Sequence, residues 1–318
     1  MSKHGCLPDN AWAGRLAKIF MAGSLQVFAA AISSAAELKE ETLKSWDEYV
    51  RAADSHMQER LQAGKHFLWI DEAADRRRQT RAGEILVSGE GSHNPRRVRS
   101  GLIHHWIGAT FIPNTKLDDV LAVVRDYSRY KEFYKPAVID SKPVSQAGTH
   151  DKFSMLLLNK AVLKRTALES DYESSYYQVD VKRWYSVASA TRVQEIEDYG
   201  ESGARKLPLN EGGGYIWRLH SISRFEERDG GVYVELEAIA LSRDIPISFR
   251  WIVDPIVRRV SRDALSTSLR QTSNAVCSIA VANNSTMKRP TAYVTSGCSR
   301  VKRPPQNTTV AETIQSGH

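Results

Sequence analysis

The chain has 318 residues, 42% hydrophobic and 25% charged, which suits one domain with extensions or two small domains. Its 44 basic residues are interspersed with 37 acidic ones, so the net charge of +7 is diffuse. Arginine clusters at 76–81 and 96–99 are accompanied by no zinc-finger or helix-turn-helix pattern. The composition is therefore typical of a globular protein, and nucleic acid is not among the predicted partners.

The N-terminus has the features of a secretory signal peptide. Arg15 and Lys18 precede an uncharged run of 14 residues, 19–32, and small residues occupy 33–36. An uncleaved membrane anchor is the weaker alternative, because a span needs roughly 20 apolar residues. We therefore predict a signal peptide over 1–36, cleaved near Ala35 or Ala36, and a secreted or periplasmic protein.

The next segment, 37–70, is predicted to contain a helix and a short extended piece. Apolar residues recur at spacings of three and four over 38–62, which indicates an amphipathic helix. Phe67–Ile70 is interpreted as a short apolar strand or an extended segment. Residues 71–100 lose this periodicity and are interpreted as a linker, with a short strand near 84–87.

From Gly101 the pattern becomes that of a strand-rich domain. A strand over 102–112 is followed by a T-x-x-D capping box at Thr115 and a helix over about 115–134. Asp229–Gly231 predicts a hairpin, and the glycine-rich segment 200–214 an exposed loop. The predicted strands after the helix are 137–145, 151–158, 162–180, 183–198, 215–228 and 232–243.

The last predicted element is a helix of about 22 residues that begins at Asp254–Pro255. An apolar stripe runs along it opposite four arginines. Residues 277–318 are rich in Ser, Thr, Asn and Pro without periodicity and are predicted to be a disordered tail. Cys277 and Cys298 remain after signal cleavage, and both a disulfide and two unpaired thiols are open.

The order strand, helix, six strands, helix predicts an α+β fold in which a curved antiparallel sheet wraps around a long C-terminal helix, with an extra N-terminal helix. Ala264, Ser268 and Thr272 are small residues on the buried stripe of that helix. They leave room that a packed core would fill with Leu or Ile, so we expect a cavity. A close helix–sheet contact without a cavity is the alternative.

Several runs resemble bacterial START-like proteins of the polyketide-cyclase and lipid-transport (SRPBCC, helix-grip) superfamily. The runs are Gly101–Trp106, Val123–Lys131 with Tyr134–Pro136, Tyr215–Leu219 and Ile245–Pro246. The resemblance covers about 101–276. It implies a helix-grip fold and an internal ligand site, but it does not name a ligand.

Alternation along the predicted strands suggests which side chains line the cavity. The candidate lining residues are Trp106, Tyr185, Trp217, Leu219, Val234, Leu236, Ala238, Ala264 and Ser268. Candidate polar contacts are His104, His105 and Arg218, and a cross-strand ion pair of Arg218 with Glu235 or Glu237 is the alternative for the arginine. No metal-ligand, nucleophile or cofactor motif is found, so no catalytic residue, metal or cofactor is predicted.

Three functions remain open at this point. The leading hypothesis is binding or carriage of a lipid-like or other apolar molecule in the cell envelope, with transient contact to a membrane surface. The first alternative is a small-molecule cyclase or lyase, which would need His104 or His105 in the cavity. The second is an interaction module with an exposed apolar patch on the N-terminal helix. The sequence does not indicate the oligomeric state.

Overall fold

The computed structural model describes residues 36–91, 93–159, 166–213, 215–245 and 247–287. The predicted signal peptide, apart from Ala36, lies outside these residues, as do 288–318 of the predicted tail. Within the described part of the chain, no helix combines the length and apolar character needed to cross a membrane.

The molecule is built on one antiparallel sheet. Eight strands follow one another in the order β2-β4-β12-β11-β8-β7-β6-β5, while β3 pairs with β4 and β9 with β8. A separate two-stranded sheet joins β1 to β10. The strands are β1 Ala36–Glu37, β2 Leu86–Gly89, β3 Arg96–Val98, β4 Gly101–Pro113, β5 Val138–Ala147, β6 His150–Asn159, β7 Thr166–Gln178, β8 Arg183–Glu197, β9 Arg205–Lys206, β10 Glu211–Gly212, β11 Arg218–Arg228 and β12 Gly231–Arg243.

Five α-helices and three 3-10 turns accompany the sheet in the described residues. The helices are α1 Glu40–Glu59, α2 Ala74–Arg81, α3 Leu117–Val124, α4 Tyr130–Phe133 and α5 Arg250–Met287, and the 3-10 turns are Trp69–Glu72, Tyr127–Arg129 and Ile247–Phe249. Element order and packing confirm the predicted α+β helix-grip fold.

Helix α5 packs on one face of the sheet, which we call the inner face. Leu265 and Leu269 of α5 share a buried cluster, which we call the α5 cluster, with Val232 and Val234 of β12. The inner face must bend, because strands from β12 to β5 border one cavity with α5 although a flat sheet would separate them by about 24 Å. Register shifts in the β5–β6 and β7–β8 pairs are β-bulges, which increase such a bend.

Helix α1 covers the opposite, outer face. Its apolar positions Trp46, Ala53 and Met57 are buried with Ile222 and Tyr233 of the sheet in one cluster, which we call the α1 cluster. Both faces of the central strands therefore carry buried apolar side chains. This explains why α1, which is amphipathic, lies on the sheet instead of standing apart.

A buried ion network lies between α1 and the outer face. Arg224 is fully buried and its guanidinium contacts Glu235 at 2.9 Å and Glu237 at 2.8 Å. Glu237 also accepts from His105 Nε2 at 2.8 Å, and Tyr49 of α1 contacts His105 Nδ1 at 2.9 Å. Burial opposes the ionised form of Glu237, yet the hydrogen bond from His105 and the charge of Arg224 lower its pKa to about 2.

The structure corrects the prediction for residues 67–100. Phe67–Ile70 is not a strand, because the backbone N–H groups of Trp69 and Ile70 donate to the Glu235 carboxylate at 3.0 Å instead of to a neighbouring strand. Residues 71–100 are not a linker either, since they contain α2, β2 and β3. Both strands are short and pair only with β4. Helix α2 has a single buried residue, Thr80, and therefore no apolar period.

Two further corrections concern the helices. The predicted helix over 115–134 is interrupted, because the carbonyl of Val124 accepts hydrogen bonds from the hydroxyls of Tyr130 and Tyr176 instead of from a helical amide. The predicted tail is wrong at its start, because α5 continues to Met287 and Ile279 packs against the α5 cluster. Cys277 lies in this continuation and forms a disulfide whose partner is outside the described residues.

A candidate ligand cavity under the C-terminal helix

A cavity of about 310 Å³ lies between α5 and the inner face. Its volume is at the lower end of the range for small-molecule sites, about 300–1,000 Å³. Much of the wall is apolar and comes from β6, β11 and β12. These apolar residues are Phe153, Met155, Leu157, Phe225, Val234 and Leu236.

A group of tyrosines closes one end of the cavity. Tyr127, Tyr130 and Tyr134 come from the segment after α3, and Tyr176 from β7. Their hydroxyls bond to protein groups: Tyr127 to Asp151 at 3.0 Å and to Tyr176 at 3.1 Å, and Tyr134 to Thr272 of α5 at 3.0 Å. The tyrosine group therefore connects the sheet, the segment after α3 and α5.

Asp151 is the buried charge behind this group. Arg125 holds it with two hydrogen bonds of 2.9 and 2.8 Å, and the same guanidinium lies 4.8 Å from the centre of the Tyr176 ring. A bidentate guanidinium–carboxylate pair satisfies a carboxylate that is 1% exposed. Asp151 is thus engaged by protein groups on both of its oxygens.

The tyrosine hydroxyls of the cavity are protonated at neutral pH. Burial raises the pKa of Tyr134 to about 12 and also raises the pKa values of Tyr127, Tyr130 and Tyr176. Among the described lining residues there is no histidine, carboxylate, lysine or arginine. Nor do three His, Cys, Asp or Glu side chains gather to hold a metal ion anywhere in the described parts of the chain.

Several of the residues predicted from the sequence lie at the cavity or beside it. Val234, Leu236 and Ser268 line it. Ala238 and Trp106 face the same side of the sheet and pack against the α5 cluster, outside the lining. Leu219 also faces inward, where it packs against a separate cluster that contains Phe153 and Tyr172.

Three predicted lining residues are elsewhere. Tyr185 points to the outer face, where Gln58 of α1 donates to its hydroxyl at 3.1 Å. Trp217 precedes β11, so strand alternation does not extend to it, and it is buried in the α1 cluster. Ala264 is exposed although the adjacent Leu265 is buried against the sheet, so Ala264 lies on the solvent side of α5.

The predicted polar contacts are outside the cavity as well. His105 belongs to the outer-face network, and Arg218 donates to the carbonyl of Trp217 and to Asn210 at 2.9 Å. Arg224, and not Arg218, forms the ion pairs with Glu235 and Glu237. His104 faces inward, but it contacts Ser242 at 2.9 Å near the end of the sheet and is not in the lining.

Sequence reasoning missed the tyrosines that form the end of the cavity. The signal was present in Tyr127, Tyr130 and Tyr134, which recur at spacings of three and four. This spacing on a helix is equally typical of a core-facing stripe, and only the interruption after Val124 turns the three rings toward the sheet.

The structure defines an α+β protein of helix-grip architecture with a cavity between its C-terminal helix and its sheet. No family model matches the sequence, and comparison with curated proteins gives no significant match.

Comparison with solved structures gives distant similarities. One is a STAR-related lipid transfer protein (fragment 25–204) from Xanthomonas axonopodis, with 16% identity, a TM-score of 0.41 and coverage of 60% of this chain and 98% of that one. Human STARD10 gives 9% identity, a TM-score of 0.39 and coverage of 71% and 87%. Zhui aromatase/cyclase from Streptomyces sp. R1128 gives 10% identity, a TM-score of 0.34 and coverage of 55% of this chain and 93% of that one. These identities and TM-scores are too low to assign a function to this chain.

Proposed function

We propose that this protein binds or carries a hydrophobic small molecule in the cavity between α5 and the inner face. The observation that carries the proposal is a partly open cavity of about 310 Å³ with a largely apolar wall between α5 and the sheet. Native interiors contain few voids larger than a water molecule. A cavity of this size, bordered by polar groups that are mostly hydroxyls, is typical of a ligand site.

The cyclase alternative is less well supported. Polar side chains from several strands do converge on the cavity, as that alternative requires. However, His105 lies on the outer face and His104 outside the lining. The tyrosines that border the cavity hold their protons because burial raises their pKa values, so they supply hydrogen bonds rather than a general base near neutral pH.

An interaction module based on the N-terminal helix is disfavoured for a different reason. The apolar side of α1 is occupied, since Trp46 and Met57 are 6% and 1% exposed. A docking helix would need that side to be free.

We further propose that the protein acts in the cell envelope or outside the cell, on the basis of the signal-peptide pattern over 1–36. Transient contact with a membrane is part of this proposal. Apolar side chains near the start of α5 are exposed, with Ile247 at 79% and Trp251 at 77%. Arg258, Arg259 and Arg262 follow in the next turns, and anionic lipid headgroups attract such residues.

Blocking the cavity tests the proposed function. Ala188 of β8 lines the cavity, so Ala188→Phe fills part of it. Thr191→Phe adds the same ring to the same strand at an exposed position and serves as the control. We expect the purified full chain and the control to carry a co-purifying apolar molecule, detected by native mass spectrometry and solvent extraction, and the Ala188→Phe variant to lack it.

The same proteins would be titrated with a fluorescent fatty acid. The proposal fails if the wild-type chain neither retains an apolar molecule nor binds the probe. It also fails if the folded Ala188→Phe variant binds as well as the control.

A further inference from the structure

Three serine hydroxyls form a polar row on the sheet side of the cavity. Ser223 of β11 pairs directly with Ser186 of β8, and Ser221 lies two residues before Ser223 on the same face. All three residues line the cavity. Directly opposed residues have Cβ atoms about 4.5–5.5 Å apart, so the row spans two adjacent strands at close spacing.

These hydroxyls differ from the tyrosine hydroxyls of the same cavity. Tyr127, Tyr134 and Tyr176 are bonded to protein groups. For Ser186, Ser221 and Ser223, no hydrogen bond to another side chain or to the backbone occurs within the described ranges. Each serine hydroxyl offers one donor and two acceptor positions to a molecule in the cavity.

The wall is apolar on the Ser223 side of the row, whereas Tyr176 of β7 borders Ser186 on the other side. Leu236 of β12 pairs with Ser223, and Leu269 of α5 lies across the cavity. Ser221 and Ser223 are only partly buried, so water can reach the row through the partly open cavity. A ligand that displaces this water must supply hydrogen bonds to the hydroxyls or leave them unpaired at a cost in free energy. An acyl chain would leave all three hydroxyls unpaired, whereas a ring compound with oxygens along one edge would pair them and place its body against the apolar wall.

We propose that the cavity selects a compact ring compound that carries hydroxyl or keto oxygens along one edge, and that Ser186, Ser221 and Ser223 bind that edge. This inference rests on the proposed function, because it concerns the same cavity. The volume of about 310 Å³ fits one compact molecule of this class.

A matched set of ligands tests this selectivity. 1,8-Dihydroxyanthraquinone carries three oxygens along one edge of a tricyclic body, anthracene has the same fused-ring skeleton without oxygens, and palmitate is the acyl-chain comparison. We expect the wild-type full chain to bind the quinone at least about tenfold more tightly than anthracene or palmitate, as measured by fluorescence titration.

Removal of the serine hydroxyls tests the residues. In the triple variant Ser186→Ala, Ser221→Ala and Ser223→Ala, we expect quinone affinity to fall by about 10- to 100-fold and anthracene affinity to change by less than about threefold. Ser88→Ala, on an exposed position of β2, is the control and should change neither. Retained anthracene binding shows that the triple variant keeps its cavity, and the single variant Ser223→Ala gives a milder second measurement.

Each outcome separates the two proposals. If wild type binds none of the three ligands and carries no co-purifying molecule, the proposed function itself fails. If palmitate or anthracene binds as well as the quinone, the cavity binds apolar molecules but the oxygenated-ring inference is overturned. A quinone preference that survives in the folded triple variant overturns the role of the serines.

Discussion

His104 is a buried titratable residue whose charge state affects stability. It lies on the inner face of β4, and burial lowers its pKa to about 4. An unfolded histidine has a pKa of about 6.5. Between these values the unfolded chain binds more protons than the folded chain, so the free energy of unfolding decreases as the pH falls from about 6.5 to about 4.

We predict that this residue alone contributes a loss of about 3 kcal/mol across that pH interval. Urea unfolding at several pH values measures it, and His104→Gln should show a shallower dependence because the titrating group is gone. His150→Gln removes an exposed histidine and should keep the wild-type slope. Glu237, with a pKa of about 2, loses its contribution only at lower pH, between its unfolded value and about 2. Equal slopes in His104→Gln and wild type would contradict this account.

At the same scale, alternation could define the two faces of each strand but not which face borders the cavity. On β12 the pattern distinguishes the two faces, because Val234 and Leu236 alternate with Glu235 and Glu237, and Val234 and Leu236 lie in the cavity lining. On β8 both faces carry aromatic residues, so Tyr185 was placed inward although Trp184 pairs with Phe225 on the inner face. The reason is that α1 also buries apolar side chains on the outer face, Tyr185 among them, and this cannot be seen in one strand's pattern.

Among the elements, β4 and α5 approach each other closely at Gly108. A Cβ atom at this position would lie 2.8 Å from Leu269 Cδ1 and 3.0 Å from the carbonyl oxygen of Leu86. The first contact could be relieved by rotating the leucine, but the second involves the backbone of β2. Glycine therefore fixes how near the helix lies to the sheet, and so the depth of the adjoining cavity.

We predict that Gly108→Ala destabilises the protein by about 1–3 kcal/mol, as overpacking of a core does. Thermal unfolding followed by circular dichroism measures the change. Gly203→Ala is the matched control, because a Cβ there meets nothing within 4 Å. If the two variants unfold at the same temperature, the close approach at Gly108 has no energetic consequence.

The strands were predictable because long alternating runs ended in recognisable turns, as at Asp229–Gly231. The short elements over 71–100 were not, because each depends on β4 rather than on its own pattern. The extent of α5 was underestimated for a similar reason. Its continuation past Cys277 is held by Ile279 against the cluster, a tertiary contact and not a helical signal in the sequence.

On the scale of the whole molecule, several large apolar side chains are exposed near the start of α5. Val260 is 61% and Ile256 46% exposed, and Trp251 lies on the preceding turns. Monomeric proteins rarely display such residues together unless they meet another surface. The arginines between them indicate an anionic one.

We predict that the full chain binds vesicles of phosphatidylcholine and phosphatidylglycerol, measured by co-sedimentation, and that Trp251→Ala weakens binding by about tenfold. Val181→Ala is the control, since Val181 is 84% exposed but belongs to the β7–β8 turn. Binding should also decrease with added salt, because the arginine contribution is screened. Equal vesicle binding by wild type and Trp251→Ala would argue against a membrane contact through this surface.

The ionic cluster beneath α1 has a practical consequence for anyone who shortens this protein. A form that starts at Gly101 would lack α1 and so expose Arg224, Glu235 and Glu237 to solvent. It would also lack the backbone amides of Trp69 and Ile70, which donate hydrogen bonds to the Glu235 carboxylate. The same sheet face carries the apolar side chains of Ile222 and Tyr233, and an exposed apolar face of this kind promotes aggregation. We therefore expect a shortened form to stay soluble only if it keeps the whole of α1, which begins at Glu40.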